Sequence, residues 1–312
     1  MSGPVVPGDT PDVESTSTES TVAPAGLEIT ESRVSTVGEF TVQRALPRRT
    51  RRMVGAWCFV DHMGPATVDE RGLGVAPHPH IGLQTVTWLL AGEALHRDSL
   101  GTEQVIAPGQ LNLMTAGHGV AHSEEGTGYR GELHGVQLWV AQPDHTRHGP
   151  PAFEHHDELP QVDLGDGIVT VLIGELAGVA SPARRDTEHV GIDVDLRAGR
   201  AAIPLRPDYE HALVVLTGAV IVDGTLVEPG HLAYLGVGRD DLDLTAEHPT
   251  RALLVGGVPF EKSVLMWWNF VARTRDEVTE AHRDWTTAAA RFGHVDSRLP
   301  RYEIGPPPWR PQ

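Results

Sequence analysis

From Leu27 onward the chain alternates short apolar runs with Gly, Pro and Asp punctuation. Gln84-Thr85-Val86-Thr87-Trp88-Leu89-Leu90 stops short of Gly92, Gln104-Val105-Ile106-Ala107 stops at Pro108-Gly109, and residues 133–140 place Val136, Leu138 and Val140 at period two. Short runs bounded by turn formers predict strands of a meander or barrel. The pattern recurs in the second half. Residues 212–216 meet Gly218, residues 219–222 meet the hairpin dipeptide Asp223-Gly224, and Leu226-Val227 leads into Glu228-Pro229-Gly230. Ala107-Pro108-Gly109-Gln110-Leu111 and Glu228-Pro229-Gly230-His231-Leu232 occupy matching places, a weak repeat with the period of one small barrel, which supports duplication. One helix is marked: Thr274-Arg275-Asp276-Glu277 is a capping box, Val278, Ala281, Trp285, Ala288 and Phe292 follow at helical spacing, and Gly293 suits the stop. The prediction is an all-β protein of two barrels with a C-terminal helix: a tail over 1–26, a first barrel over 27–150, and a second over 151–312 that carries the helix and an extended Pro-rich end. The boundary is expected in the His/Pro/Asp-rich stretch 145–160.

The 312 residues suit two domains, and the apolar share of 40% leaves room for a disordered segment, for which the polar residues 1–26 are the candidate. A formal charge of −17 repels phosphate backbones and anionic lipid, which argues against direct nucleic-acid binding. The single cysteine, Cys58, excludes a disulfide within the chain and reads as a small buried hydrophobe in Trp57-Cys58-Phe59-Val60. No stretch approaches the roughly 20 apolar residues of a membrane helix, and the N-terminus lacks the apolar core of a signal peptide. Arg48-Arg49-Thr50-Arg51-Arg52 lies too far along for a signal and reads as a solvated or ion-paired loop. A cytoplasmic monomer is expected.

Two pairs carry the candidate chemistry. His78-Pro79-His80 puts two imidazoles on one side of a strand, and His122-Ser123-Glu124, after the turn Ala116-Gly117-His118-Gly119, puts an imidazole and a carboxylate on one side of another. If those sides face a barrel interior, the rings reach one ion at about 2.0–2.2 Å, with Pro79 pointing outward. Three imidazoles and one carboxylate, with no thiolate, disfavour a closed structural zinc site and are wrong for Ca²⁺ or Mg²⁺. They suit Fe(II), Mn(II), Ni(II) or Cu(II) with open positions, and zinc remains an option. Among 17 histidines some His-x-His pairs arise by chance, and His145, His148, His155 and His156 read as solvated loop residues.

Longer motifs carry a resemblance. Arg52-Met53-Val54-Gly55, Asp61-His62-Met63-Gly64-Pro65, His78-Pro79-His80-Ile81-Gly82-Leu83-Gln84-Thr85-Val86-Thr87, His96-Arg97-Asp98-Ser99-Leu100-Gly101, the run Met114 to Glu124 and Gln137-Leu138-Trp139-Val140 together resemble the signature of the pirin family, of the cupin superfamily. The likeness spans residues 38–140 and continues weakly to Trp267-Trp268-Asn269-Phe270-Val271 and the helix. It implies a bicupin of two double-stranded β-helix barrels, with iron in the first held by His78, His80, His122 and Glu124. Where pirins often carry Glu, this chain has Gln84, expected to share the inward side of His80, so the carboxylate falls to Glu124. The second barrel, where His211 and His231 are isolated, is expected to be metal-free.

Some pirins resemble quercetin 2,3-dioxygenases. The resemblance implies an Fe(II) enzyme acting on a flavonol and O₂, with Glu124 as ligand and general base. Trp88, Leu113 and Met114 are candidates both for pocket walls and for plain core, and His96 and His118 for supporting groups or, in His118, a turn residue. The competing reading is a non-catalytic, metal- or redox-sensitive regulator that binds a partner protein.

Overall fold

The computed structural model describes residues 26–38 and 40–309, so nearly all of the expected tail lies outside the described residues. The first half runs β1 (Glu28–Glu31), β2 (Arg33–Val37), β3 (Phe40–Leu46), β4 (Trp57–Val68), β5 (Val75–His80), β6 (Leu83–Ala91), β7 (Ala94–Asp98), β8 (Glu103–Ile106), β9 (Leu111–Thr115), β10 (Val120–Glu125), β11 (Gly131–Ala141) and β12 (Ala152–His156). The second half runs β13 (Gln161–Leu164), β14 (Gly167–Ile173), the small hairpin β15 (Glu175–Leu176) and β16 (Val179–Ala180), β17 (His189–Leu196), β18 (Gly199–Pro204), β19 (Glu210–Thr217), β20 (Val220–Val222), β21 (Thr225–Val227), β22 (His231–Gly236), β23 (Asp241–Ala246) and β24 (Thr250–Gly257). After it come the hairpin β25 (Leu265–Trp267) and β26 (Phe270–Ala272) and the helix α1 (Arg275–Thr286). No helix among the described residues is long and apolar enough to cross a membrane.

Each half makes two sheets of matching order. The order β12-β9-β6-β11-β4-β3-β2 in the first half answers to β1-β22-β19-β24-β17-β14-β13 in the second, and β5-β10-β7-β8 answers to β18-β23-β20-β21. These are two cupin-type barrels, as the repeat predicted. Strand pairing crosses the sequence boundary in both directions. β1 leaves the first half to pair with β22, while β12, beyond residue 150, completes the first sheet beside β9. Arg51 of the basic run sits at the β1 junction as an ion-paired loop residue, 2.8 Å from Glu28 and over the Tyr234 ring.

The large sheets pack face to face. Val60, Val86, Trp88, Val136, Leu138 and Val140 share one buried cluster with Ala212, Val214, Leu216, Leu253 and Val255. Because the other side of β4 and β11 fills the first barrel, their runs are buried on both sides and show little alternation. Trp57 pins the join: its Nε1 donates to the carbonyls of Val190 (3.0 Å) and Gly256 (3.2 Å). Gly191 permits this approach, since a Cβ there would sit 2.8 Å from the indole ring. Removing that ring costs about 3–5 kcal/mol by the usual scale for a buried Trp.

Three local expectations need correction. The helix ends at Thr286, not near Phe292. Ala288 takes a left-handed φ of 53°, after which Ala290–Phe292 form one separate 3₁₀ turn. Phe292 still meets Trp285, edge to face at 5.8 Å, so the apolar spacing survives the break. Thr274 caps the helix by accepting from Glu277 N, but the Glu277 carboxylate takes the Arg273 N–H and the Arg147 guanidinium, so the box is not reciprocal. His155 and His156 lie in strand β12, partly buried, where a loop was expected; the pairing with β9 places His155 against Asn112 at 2.6 Å. His145 and His148 are exposed in a turn.

Candidate metal centre

β5 and β10 run antiparallel with His122 opposite His78 and Val120 opposite His80, and a bulge separates His122 from Glu124. The rings of His78, His80 and His122 are fully buried, with centroids 4.4–5.0 Å apart. The Nε2 atoms of His80 and His122 approach to 3.1 Å. Pro79 falls on the opposite side of β5 from the two imidazoles, as expected, and is buried there.

Hydrogen bonds select the protonated nitrogen of two of these rings. His78 Nδ1 lies 2.8 Å from the carbonyl of Ala76, and His80 Nδ1 lies 3.0 Å from the carbonyl of Asn269. A carbonyl only accepts, so each Nδ1 carries the hydrogen and each Nε2 keeps its lone pair. The Asn269 carbonyl arrives from far along the chain: the β25–β26 hairpin docks on the end of β5 through an Ile81–Phe270 bridge and the Val271 N–H to Ile81 O bond. Burial pushes the His78 pKa down to about 3 and holds His80 and His122 well below the usual imidazole range. The rings are therefore neutral, the form that binds metal.

Two groups of convergent donor atoms stand out among the described residues: His78 with His80 and His122, and His96 with His122 and Glu124. Sharing His122, they contain all four expected ligands and add His96. The Thr87 hydroxyl lies 3.5 Å from Glu124 Oε1 and 2.9 Å from Gln137 Oε1. His96 stacks on Phe153 at 4.5 Å and lies 3.2 Å from Asp98 Oδ2 through Nε2. Sequence reading passed over Thr87, Gln137 and Asp98, although His96-Arg97-Asp98 repeats the same-side spacing of the ligand pairs. His118 is exposed in its turn, bonded to the Gly149 carbonyl, and belongs to neither group.

Gln84 is not on the site's side of the sheet. It bonds Thr115 at 3.0 Å and shares its side of β6 with Val86 and Trp88, which pack on the second barrel. The left-handed turn at Gly82 breaks the alternation between His80 and Gln84. Trp88 and Leu113 belong to that inter-barrel core, whereas Met114 packs with Phe59 and Trp139, whose indole meets His80 edge to face at 5.2 Å. In the second barrel, β18 and β23 take the places of β5 and β10. Their pairing sets Ala201 opposite Leu244 and Ile203 opposite Leu242, so the positions of His78, His80 and His122 hold hydrocarbon.

Buried neutral imidazoles with converging lone pairs, next to a carboxylate, fit a divalent transition metal. A pirin family model matches residues 39–140 and a pirin C-terminal cupin model matches residues 191–293. A Pseudomonas aeruginosa protein named provisionally as a quercetin 2,3-dioxygenase is 47% identical over 276 residues, 88% of each chain. A Caulobacter vibrioides pirin-like protein is 36% identical, covering 85% of this chain and 95% of its own. The crystal structure of a quercetin 2,3-dioxygenase from Acinetobacter baumannii superposes with a TM-score of 0.88 at 40% identity, over 92% of this chain and 97% of that one. The chain belongs to the pirin family, a bicupin branch of the cupin superfamily with homology to quercetin 2,3-dioxygenases.

Proposed function

We propose that this protein is a mononuclear metal-dependent oxidoreductase, an Fe(II) dioxygenase that cleaves flavonols such as quercetin, with His78, His80, His122 and Glu124 as ligands. The convergence of three buried imidazoles carries the reading. Fe(II) at this donor set supplies Lewis acidity and reactivity toward O₂. Asn269 and Ala76 hold the His80 and His78 rings with their lone pairs inward. Glu124, beside the Thr87 hydroxyl, accepts the proton of the flavonol hydroxyl.

Glu124→Gln and Glu124→Ala test the assignment through quercetin consumption under air, expressed per bound iron. A base role predicts that the Gln variant keeps much of its iron and loses roughly 10²–10⁴-fold in turnover. Activity that merely tracks iron content in both variants makes Glu124 a ligand only. No turnover by the iron-loaded wild type removes the enzyme reading and favours the redox-sensitive regulator, which the full burial of all three imidazoles also suits.

A further inference from the structure

His122 differs from the other two imidazoles in what faces its second nitrogen. His78 and His80 each point Nδ1 at a carbonyl, whereas His122 points Nδ1 at Nδ1 of another imidazole, His96, at 3.4 Å. Two facing ring nitrogens bond only when one carries hydrogen and the other a lone pair. If His96 is the donor, His122 holds its hydrogen on Nε2 and donates it to the His80 Nε2 lone pair 3.1 Å away, which fills the direction a metal needs. If His122 is the donor, the His80 and His122 Nε2 lone pairs face each other at 3.1 Å, an arrangement that a cation bound by both would stabilise.

Asp98 decides between them. Its Oδ2 lies 3.2 Å from His96 Nε2, and a carboxylate only accepts, so His96 Nε2 carries a hydrogen and Nδ1 is the nitrogen left to offer a lone pair. Asp98 is held in turn, its Oδ1 accepting from the backbone N–H groups of Leu100 (2.9 Å) and Thr102 (3.0 Å). Phe153, delivered by β12, lies against the His96 ring plane at 4.5 Å. Across the strands Glu124 sits opposite His96 and His122 opposite Asp98, and all four are buried.

We propose that His96 and Asp98 are positioning residues that fix His122 as its Nδ1–H tautomer, through the line Asp98, His96, His122, and so aim His122 Nε2 at the metal. The inference rests on the metal-centre reading above. The duplicated barrel supports it independently. There β20 stands in for β7, and Ile221 faces Thr245 of β23 as Arg97 faces Ser123 of β10. The residues flanking Ile221, Val220 and Val222, are buried apolar side chains. Where the ligand positions are hydrocarbon, the two supporting positions are hydrocarbon too, as expected if all serve one site.

The experiment is ¹⁵N-histidine NMR of the metal-free full chain, followed by Co(II) titration of wild type, Asp98→Asn, His96→Gln and His96→Leu. The expected result is hydrogen on Nδ1 and none on Nε2 of His122 in wild type. Asp98→Asn and His96→Leu should mix the tautomers and weaken Co(II) binding about 10–100-fold, the usual effect of removing an outer partner. His96→Gln, whose amide oxygen can accept from His122, should recover most of the affinity. A His122 Nε2–H tautomer in wild type overturns the proposal whatever the variants do, as does unchanged tautomer and affinity in Asp98→Asn and His96→Leu. A wild type that binds no Co(II) but shows the Nδ1–H tautomer defeats the metal-centre reading and, with it, the metal-directing role, while leaving the hydrogen-bond line itself observed.

Discussion

Acid should weaken this fold through histidines that have no part in the metal centre. His189 is fully buried at the start of β17, with Nδ1 against Thr187 and its ring edge-on to Trp57 at 5.2 Å, beside the indole that pins the barrels together. Burial pushes its pKa down to about 4, while the neighbouring Arg185 and Asp186 act in opposite directions. In the second barrel His211, equally inaccessible, is also pushed down to about 4, again by burial first. Unfolded histidine titrates near ~6.5. Because the folded value is lowered, the unfolded chain takes up the proton first. Stability is therefore intact above about pH 6.5 and is lost as pH falls toward about 4. Between pH 7 and 5 the linkage costs about 2 kcal/mol for each ring, about 4 for the two, against a typical total of roughly 5–15. Urea unfolding followed by tryptophan fluorescence at pH 7 and pH 5 reads this directly. His189→Asn keeps an amide that can donate to the Thr187 carbonyl but cannot titrate. It should be weaker than wild type at pH 7, yet lose about 2 kcal/mol less on going to pH 5. An equal loss in both proteins would refute the reasoning.

Three further outcomes follow from the geometry. His80→Ala removes one converging nitrogen and should strongly lower metal content by elemental analysis; unchanged occupancy would sink the ligand set. Gly82→Ala places a Cβ 2.1 Å from the Val271 carbonyl at a φ of +66° and should destabilise the protein by more than about 2 kcal/mol while loosening the hairpin that orients His80; a melting temperature within error of wild type contradicts the docking. Tyr302 lies 6.2 Å from the His78 ring and its N–H donates to Pro77 O, so ending the chain before it should speed removal of bound metal by a chelator; equal extraction rates would show that the C-terminal segment does not control access.

What the sequence made legible was what depends on spacing. Val136, Leu138 and Val140 at period two gave β11, and Asp223-Gly224 gave the hairpin, with both residues at positive φ. The same-side rule put His78 beside His80 correctly, because β5 is regular there. Applied across Gly82 the rule failed for Gln84, since alternation restarts after a left-handed residue. The helix ran long in the reading because Phe292 keeps apolar phase beyond a break that only the backbone of Ala288 reveals. The exchange of β1 and β12 between the barrels was invisible because pairing partners leave no mark in a strand's own pattern. Asn269 was out of reach for another reason: it acts through its carbonyl, which every residue has.

That last contact bears on why the barrel lacking donors at the corresponding positions persists in the chain. The first barrel supplies the candidate ligands, but the chain that finishes the site emerges only after the second. The β25–β26 hairpin brings the carbonyl that sets the His80 tautomer, α1 packs Val278, Ala281 and Trp285 into one cluster with Ile81 and Ala121, and Tyr302 covers His78. Ile81 and Ala121 are direct neighbours of His80 and His122 in sequence, so the cluster clamps both ligand strands from outside. The second barrel is held on the far side by the Trp57 anchor and the shared core, which fixes where this returning segment starts. The second barrel is thus the packed body from which the segment that closes over the candidate ligands departs, and its contact with the first barrel sets where that segment begins.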